Sequence, residues 1–211
     1  LNLYLIDTRN IIVRDCKFVR HGARGLLILA KDVLIENTLF EREQLGALKL
    51  ETGYTFNQWC EGTGVDNVVV RNCTFRNSNL RGIKSHGFAR DIQISAYIEK
   101  DPSTKEPKTP VITNALFENN KFYETAGVVA VASACENIIF RNNRIENARD
   151  TLSVSDRDKW YRGGFYVRSG KNIKIVNNTF VKSPYMPNAG VLAKRGDYSD
   201  CDFSGNRVVE K

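Results

Sequence analysis

Asp66-Asn67-Val68-Val69-Val70-Arg71-Asn72-Cys73-Thr74-Phe75 is a phrase that the chain repeats with its polar and apolar positions kept. It consists of three alternating apolar positions, an Asn, two small or polar residues and an aromatic or branched residue. It returns as Asn10-Ile11-Ile12-Val13-Arg14-Asp15-Cys16-Lys17-Phe18, as Asp32-Val33-Leu34-Ile35-Glu36-Asn37-Thr38-Leu39-Phe40, and as Asn137-Ile138-Ile139-Phe140-Arg141-Asn142-Asn143-Arg144-Ile145. Further copies are Ala115 to Phe122, Asn172 to Phe180 and a frayed Tyr198 to Val208. A unit repeated every twenty to fifty residues or so marks a solenoid, whose units bury their apolar faces only by stacking.

A second strand precedes each phrase and usually follows a glycine, as in Gly25-Leu26-Leu27-Ile28, Gly46-Ala47-Leu48-Lys49-Leu50, Gly82-Ile83-Lys84-Ser85, Gly127-Val128-Val129 and Gly164-Phe165-Tyr166. With the short segment after the Asn, each unit has three strands and closes a triangle. The fold expected is all-β, a right-handed parallel β-helix of about seven coils in a single domain spanning residues 1–211. The column Asp15, Asn37, Asn72, Asn119, Asn142, Asn177 falls in a tight turn, where Asn tolerates the left-handed conformation and its amide can bond to the next coil. Phe18, Phe40, Phe75, Phe122 and Phe180 are expected to stack inside.

Counted along that column and on to Gly205 of the frayed copy, successive coils are 22, 35, 47, 23, 35 and 28 residues long. The excess over a minimal coil defines three insertions, at 52–65, 88–113 and 147–163, and long loops on a rigid scaffold are where function concentrates. Gly46 to Glu51 and Gly82 to His86 would floor a groove between them, with Asp91 to Tyr97 as an extra edge. No capping pattern precedes Leu1 or follows Lys211, so the sequence reads as a fragment of a longer chain.

Composition is that of an ordinary globular protein, with 42% hydrophobic and 26% charged residues in 211. No apolar run is long enough to span a bilayer. The net charge of +7 favours an anionic partner, but the basic residues are scattered, without the aromatic interleaving of a nucleic-acid track. The five cysteines are odd in number. Cys16 and Cys73 share a repeat position two coils apart, about 9.6 Å, beyond the roughly 6.8 Å reach of a disulfide. They read as small stacking residues, and no pair has zinc-ligand spacing.

Alternation points Leu48, Leu50, Ile83 and Ser85 inward and Lys49, Glu51, Lys84 and His86 outward, with Tyr166, Arg168 and Lys194 as counterparts on later coils. The first insertion brings Tyr54, Trp59 and Glu61 to the same region, where aromatic rings can stack on the apolar face of a sugar. Glu51 and Glu61 form the best carboxylate pair for glycoside hydrolysis, one protonating the leaving oxygen and the other activating water or attacking the sugar. For either one taken alone, a salt-bridge partner of Lys49 or Lys84 is the plainer reading. Asp91, Glu99, Asp150, Asp156 and Asp158 are weaker candidates, and the Trp160-Tyr161-Arg162 triplet is either a second sugar platform or an aromatic packing a loop onto the coil.

The segments Gly22-Ala23-Arg24-Gly25-Leu26, Gly46-Ala47-Leu48-Lys49-Leu50 and Trp59-Cys60-Glu61-Gly62-Thr63-Gly64-Val65 resemble the β-helix of glycoside hydrolase family 110, exo-acting α-1,3-galactosidases found mainly in bacteria. The resemblance implies an inverting carboxylate pair. The chain departs from it in having Glu51-Thr52-Gly53 where the family places an aspartate.

Three functions follow as expectations. The first is a glycosidase with Glu51 and Glu61 as catalysts and Lys49, Tyr54, Trp59, Lys84, His86, Trp160 and Arg168 as substrate contacts, needing no cofactor. The second is a polysaccharide lyase with Lys84 or His86 as base, the one reading in which calcium has a place. The third is a structural or adhesive β-helix that binds glycan without cleaving it. All three take an oligo- or polysaccharide partner and belong outside the cytoplasm, in a secreted, periplasmic or cell-surface setting. Nothing in the sequence fixes an oligomeric state.

Overall fold

The computed structural model describes residues 8–55, 59–60, 64–78, 80, 90–98, 109–148, 162–186, 192–194 and 198–211. Every element in them is a β-strand, and the strands stack in three parallel sheets. The first sheet runs Arg9–Arg14, Lys31–Glu36, Val65–Arg71, Ile112–Glu118, Cys135–Arg141, Gly170–Val176 and Tyr198–Ser199. The second runs Leu26–Ile28, Leu48–Thr55, Arg90–Ile98, Val128–Ala132, Phe165–Val167 and Leu192–Lys194. The third contains Lys17–Val19, Leu39–Glu41, Thr74–Arg76, Lys121–Tyr123, Arg144–Glu146, Thr179–Val181 and Arg207–Val209. The chain visits the sheets in rotation, so each turn adds one strand to each sheet. This is the parallel β-helix that the repeat predicts.

Bends between strands rest on single left-handed residues. The predicted column has φ of 55° at Asp15, 53° at Asn37, 55° at Asn72 and Asn119, and 56° at Asn142 and Asn177. Two further columns were not read from the sequence. One opens the phrase itself, at Asn10, Asp32, Asn67, Asn114, Asn137 and Asn172, and the other follows the third sheet at Arg20, Arg42, Asn77 and Glu124. Asn and Asp recur in the first of these because their short polar side chains bear a left-handed backbone at least cost.

The side chains of the predicted Asn column are exposed, and the buried ladder lies one residue further on. Asn120 Oδ1 accepts from the Cys73 amide at 2.9 Å, Asn143 Oδ1 from the Asn120 amide at 2.9 Å, and Asn206 Oδ1 from the Asn178 amide at 2.9 Å. In the earlier coils Cys16, Thr38 and Cys73 take this row. Cys16 and Cys73 are unbridged, as their spacing requires, and burial pushes the Cys73 thiol up to about 11.

Inward positions build the core. Phe18, Phe40, Phe75 and Phe122 stack face to face, with ring centroids 5.1, 5.1 and 4.7 Å apart. Ile145 then interrupts the row, and Phe180 packs edge-on to Phe165 of the second sheet. A second stack, Phe117 on Phe140, projects from the first sheet. Each buried phenylalanine contributes about 1.5–3 kcal/mol of hydrophobic stabilisation.

The third coil differs from expectation. The strand beside Leu48–Thr55 is Arg90–Ile98, with Ile92 opposite Leu48 and Ile94 opposite Leu50. It holds the place expected for Gly82 to Ser85, and Asp91 to Tyr97 is central to the sheet, not an extra edge. The first insertion begins as a continuation of its strand, which pairs antiparallel with Trp59–Cys60.

Candidate functional site

On Leu48–Thr55 the alternation puts Leu48 and Leu50 in the core and turns Lys49 and Glu51 to the outer face, as expected. On the neighbouring strand Ile92, Ile94 and Ala96 go inward, so Gln93 and Ser95 face out opposite Lys49 and Glu51. These four side chains and Arg90 form one chain of contacts. Arg90 donates to Gln93 Oε1 through Nε at 3.1 Å and through its terminal nitrogen at 2.6 Å. Gln93 Nε2 donates to Ser95 Oγ at 2.8 Å, and Ser95 Oγ donates to Glu51 Oε1 at 3.3 Å. The other carboxylate oxygen of Glu51 forms an ion pair with the Lys49 ammonium.

Glu51 is only 5% exposed although it faces outward. Its two oxygens are held in different ways, one by a cation and one by a hydroxyl. Burial pulls the proton affinity of the Lys49 amine down, and the positive charges of Arg24 and Arg90 act in the same direction against the opposing pull of Glu51. The arrangement is thus a fixed carboxylate beside an amine that holds its proton less firmly than a free lysine. The salt-bridge reading of Glu51 with Lys49 is realised.

The hairpin next to it carries Tyr54, which pairs with Cys60, and Trp59, which pairs with Thr55. Both therefore lie on backbone that continues directly from Glu51. Arg168 follows Phe165–Val167, and its amide donates to Ala132 O at 2.8 Å. It falls on the register row of Glu51, Ser95 and Ser133, three rungs or about 14 Å from Glu51. Tyr166 lies on the Lys49 and Gln93 row. Lys194 pairs with Val167 in the strand register. Glu61, Lys84, His86 and Trp160 lie outside the described residues.

Sequence reasoning missed Gln93, Ser95, Arg90 and Arg24. The alternation Ile92-Gln93-Ile94-Ser95 was the signal for the first two, obscured by placing the strand at Gly82. Asp91, a weak candidate for the groove, is instead inside the solenoid and 2% exposed.

Among the described residues no group of three or more His, Cys, Asp or Glu side chains is placed to hold a metal, and no helix is long and apolar enough to cross a membrane. The chain belongs to the right-handed β-helix family: the family model for a right handed beta helix region matches residues 3–208. A search of curated proteins finds no match. A β-helix domain of this kind suggests a carbohydrate-active or structural protein.

Proposed function

We propose that this β-helix protein binds and cleaves a glycan over the outer face of its second sheet, acting as a glycoside hydrolase with Glu51 and Glu61 as the carboxylate pair. The observation that carries the reading is Glu51, a nearly buried carboxylate on an outward row whose two oxygens are fixed by Lys49 and Ser95. An anchored carboxylate suits acid–base work because its geometry need not reorganise during the reaction. The adjoining hairpin carries Tyr54 and Trp59 on backbone that continues from Glu51, and their rings would serve as platforms for a sugar, with Glu61 two residues beyond Trp59 in the sequence. The likeness to glycoside hydrolase family 110 supports an inverting reaction on a terminal galactose. That outcome needs the two carboxyls about 6.5–9.5 Å apart so that water fits between them. Lys49, Lys84, His86, Trp160 and Arg168 serve as substrate contacts, and the setting is extracytoplasmic. Separate Glu51→Gln and Glu61→Gln variants assayed on aryl-galactosides and oligosaccharides are each expected to lose about a thousand-fold in rate. Undiminished hydrolysis by both would remove them as catalysts.

A second reading, elimination at a uronate, is favoured by the weakened proton affinity of Lys49. There the amine would take the proton next to the uronate carboxyl, the glycosidic C–O bond would break, and the leaving oxygen would be protonated. Unsaturated, ultraviolet-absorbing product would mark that reaction. Glycan binding with no product of either kind would assign the face to recognition alone.

A further inference from the structure

The chain turns from the third sheet into the second through a corner that is polar and sealed from solvent. Register carried one or two residues past the third sheet places His21, Glu43, Ser78 and Thr125 in one row on four successive coils. Glu43, Ser78 and Thr125 are each 0% exposed. Asp91, which starts the next strand in the same coil as Ser78, is buried with them, its carboxyl against the Thr125 hydroxyl. Apart from that contact, five oxygens here have no hydrogen-bond partner: Glu43 Oε1, Ser78 Oγ, both carboxyl oxygens of Asp91, and Thr125 Oγ1. Among the described residues they are all of the buried side-chain oxygens left in that state.

They also lie close together in the stack. Ser78 and Asp91 occupy the middle coil, Glu43 lies one rung to one side and Thr125 one rung to the other, about 4.8 Å per rung. Buried polar atoms in folded proteins are almost always satisfied, and exceptions call for a bound water or ion. Among the described residues the one ionisable side chain that meets either carboxyl is His21. Its amide donates to Glu43 Oε2 at 3.1 Å and its Nδ1 lies 3.6 Å from the same oxygen, so Oε1 is left bare.

We propose that this corner is an internal binding site for a hard divalent cation with the coordination habits of calcium. The donor set is all oxygen, two carboxyl groups match the charge of the ion, and two hydroxyls add neutral ligands. Five oxygens fall just short of the six to eight or so that calcium takes, leaving room for a main-chain carbonyl or a water. A smaller ion demanding strict octahedral geometry suits three stacked coils less well. The cation would tie three coils together directly beneath the strand that carries Gln93 and Ser95, and so hold the platform on which Glu51 rests. The site is independent of the glycan reading.

The test is calcium titration of chelator-stripped protein by calorimetry, with thermal unfolding in calcium and in chelator. One calcium per chain and a rise in melting temperature of several degrees are expected. Ser78→Ala, a small change that leaves both carboxyls, is expected to weaken calcium about ten-fold, and Asp91→Asn to abolish the response. Identical melting with and without calcium and no heat of binding would overturn the proposal. Wild-type calcium affinity in both variants would overturn it too, by placing the ion elsewhere.

Discussion

Asn178 Oδ1 accepts two hydrogen bonds from Asn143, one from the backbone amide at 3.0 Å and one from Nδ2 at 2.9 Å. Asn143 Nδ2 also lies 3.1 Å from Phe117 O, and Asn143 Oδ1 receives the Asn120 amide at 2.9 Å. One buried amide thus satisfies two main-chain groups of the preceding coil and reaches the side chain of the next. Asn143→Ala strands the Asn120 amide and the Phe117 carbonyl, each at about 1–3 kcal/mol. A loss of about 3 kcal/mol in urea unfolding is expected, and Asn143→Asp should recover little because a carboxylate cannot donate.

Phe75 lies between Phe40 and Phe122 with no exposed surface. Phe75→Ala removes both stacked neighbours' contact at once and should cost about 3–5 kcal/mol. Phe75→Leu, which keeps most of the volume, should cost clearly less in the same denaturant titration.

Glu36 stands between Arg71 and Arg14, and these two arginines hold its carboxyl below the usual carboxylate range. A depressed folded-state value means the unfolded chain binds the proton more readily, so stability from this group is present above about pH 4.5 and is lost as the pH falls through the folded value. Glu36→Gln should flatten the acid limb of the stability curve. Raising the salt concentration should shrink the difference between variant and wild type, since both arginines are half-exposed.

Asp91 behaves in the opposite sense. Burial pushes its carboxyl up to about 8 from an ordinary value of 3.8. The folded chain therefore keeps a proton that the unfolded chain releases. In chelator, stability is greatest below the ordinary value and falls as the pH rises towards about 8. Asp91→Asn should remove that slope, measured by chemical unfolding across the same pH range.

The coil architecture was legible because two signals agreed: apolar alternation in the repeated strands, and Asn or Asp at the two left-handed columns that open and close the repeated phrase. The third coil was misplaced for a local reason. Elsewhere a glycine precedes the second-sheet strand, so Gly82 looked like the start. Backbone pairing with Leu48–Thr55 instead selects the longer alternation Ile92 to Ala96, preceded by Arg90 and Asp91. Gly46 is the glycine that matters there: its φ is +106°, and a Cβ on it would lie 2.9 Å from Arg90 O. Half of the candidate site was legible, since Lys49 and Glu51 follow from simple alternation. Gln93 and Ser95 depended on register between strands more than forty residues apart, which no local pattern encodes. The polar corner escaped notice because Glu43, Ser78, Asp91 and Thr125 look like surface residues until the stack closes over them.

Along the outer face of the first sheet, Arg14, Glu36, Arg71, Glu118 and Arg141 occupy one row, each opposite the next. The signs alternate without a break. If the growing solenoid skipped a coil, arginine would meet arginine and glutamate would meet glutamate along that whole edge. The repeat makes every coil resemble its neighbours closely enough to be mistaken for one another, and this row is a parity check that accepts the adjacent coil and rejects the one beyond it.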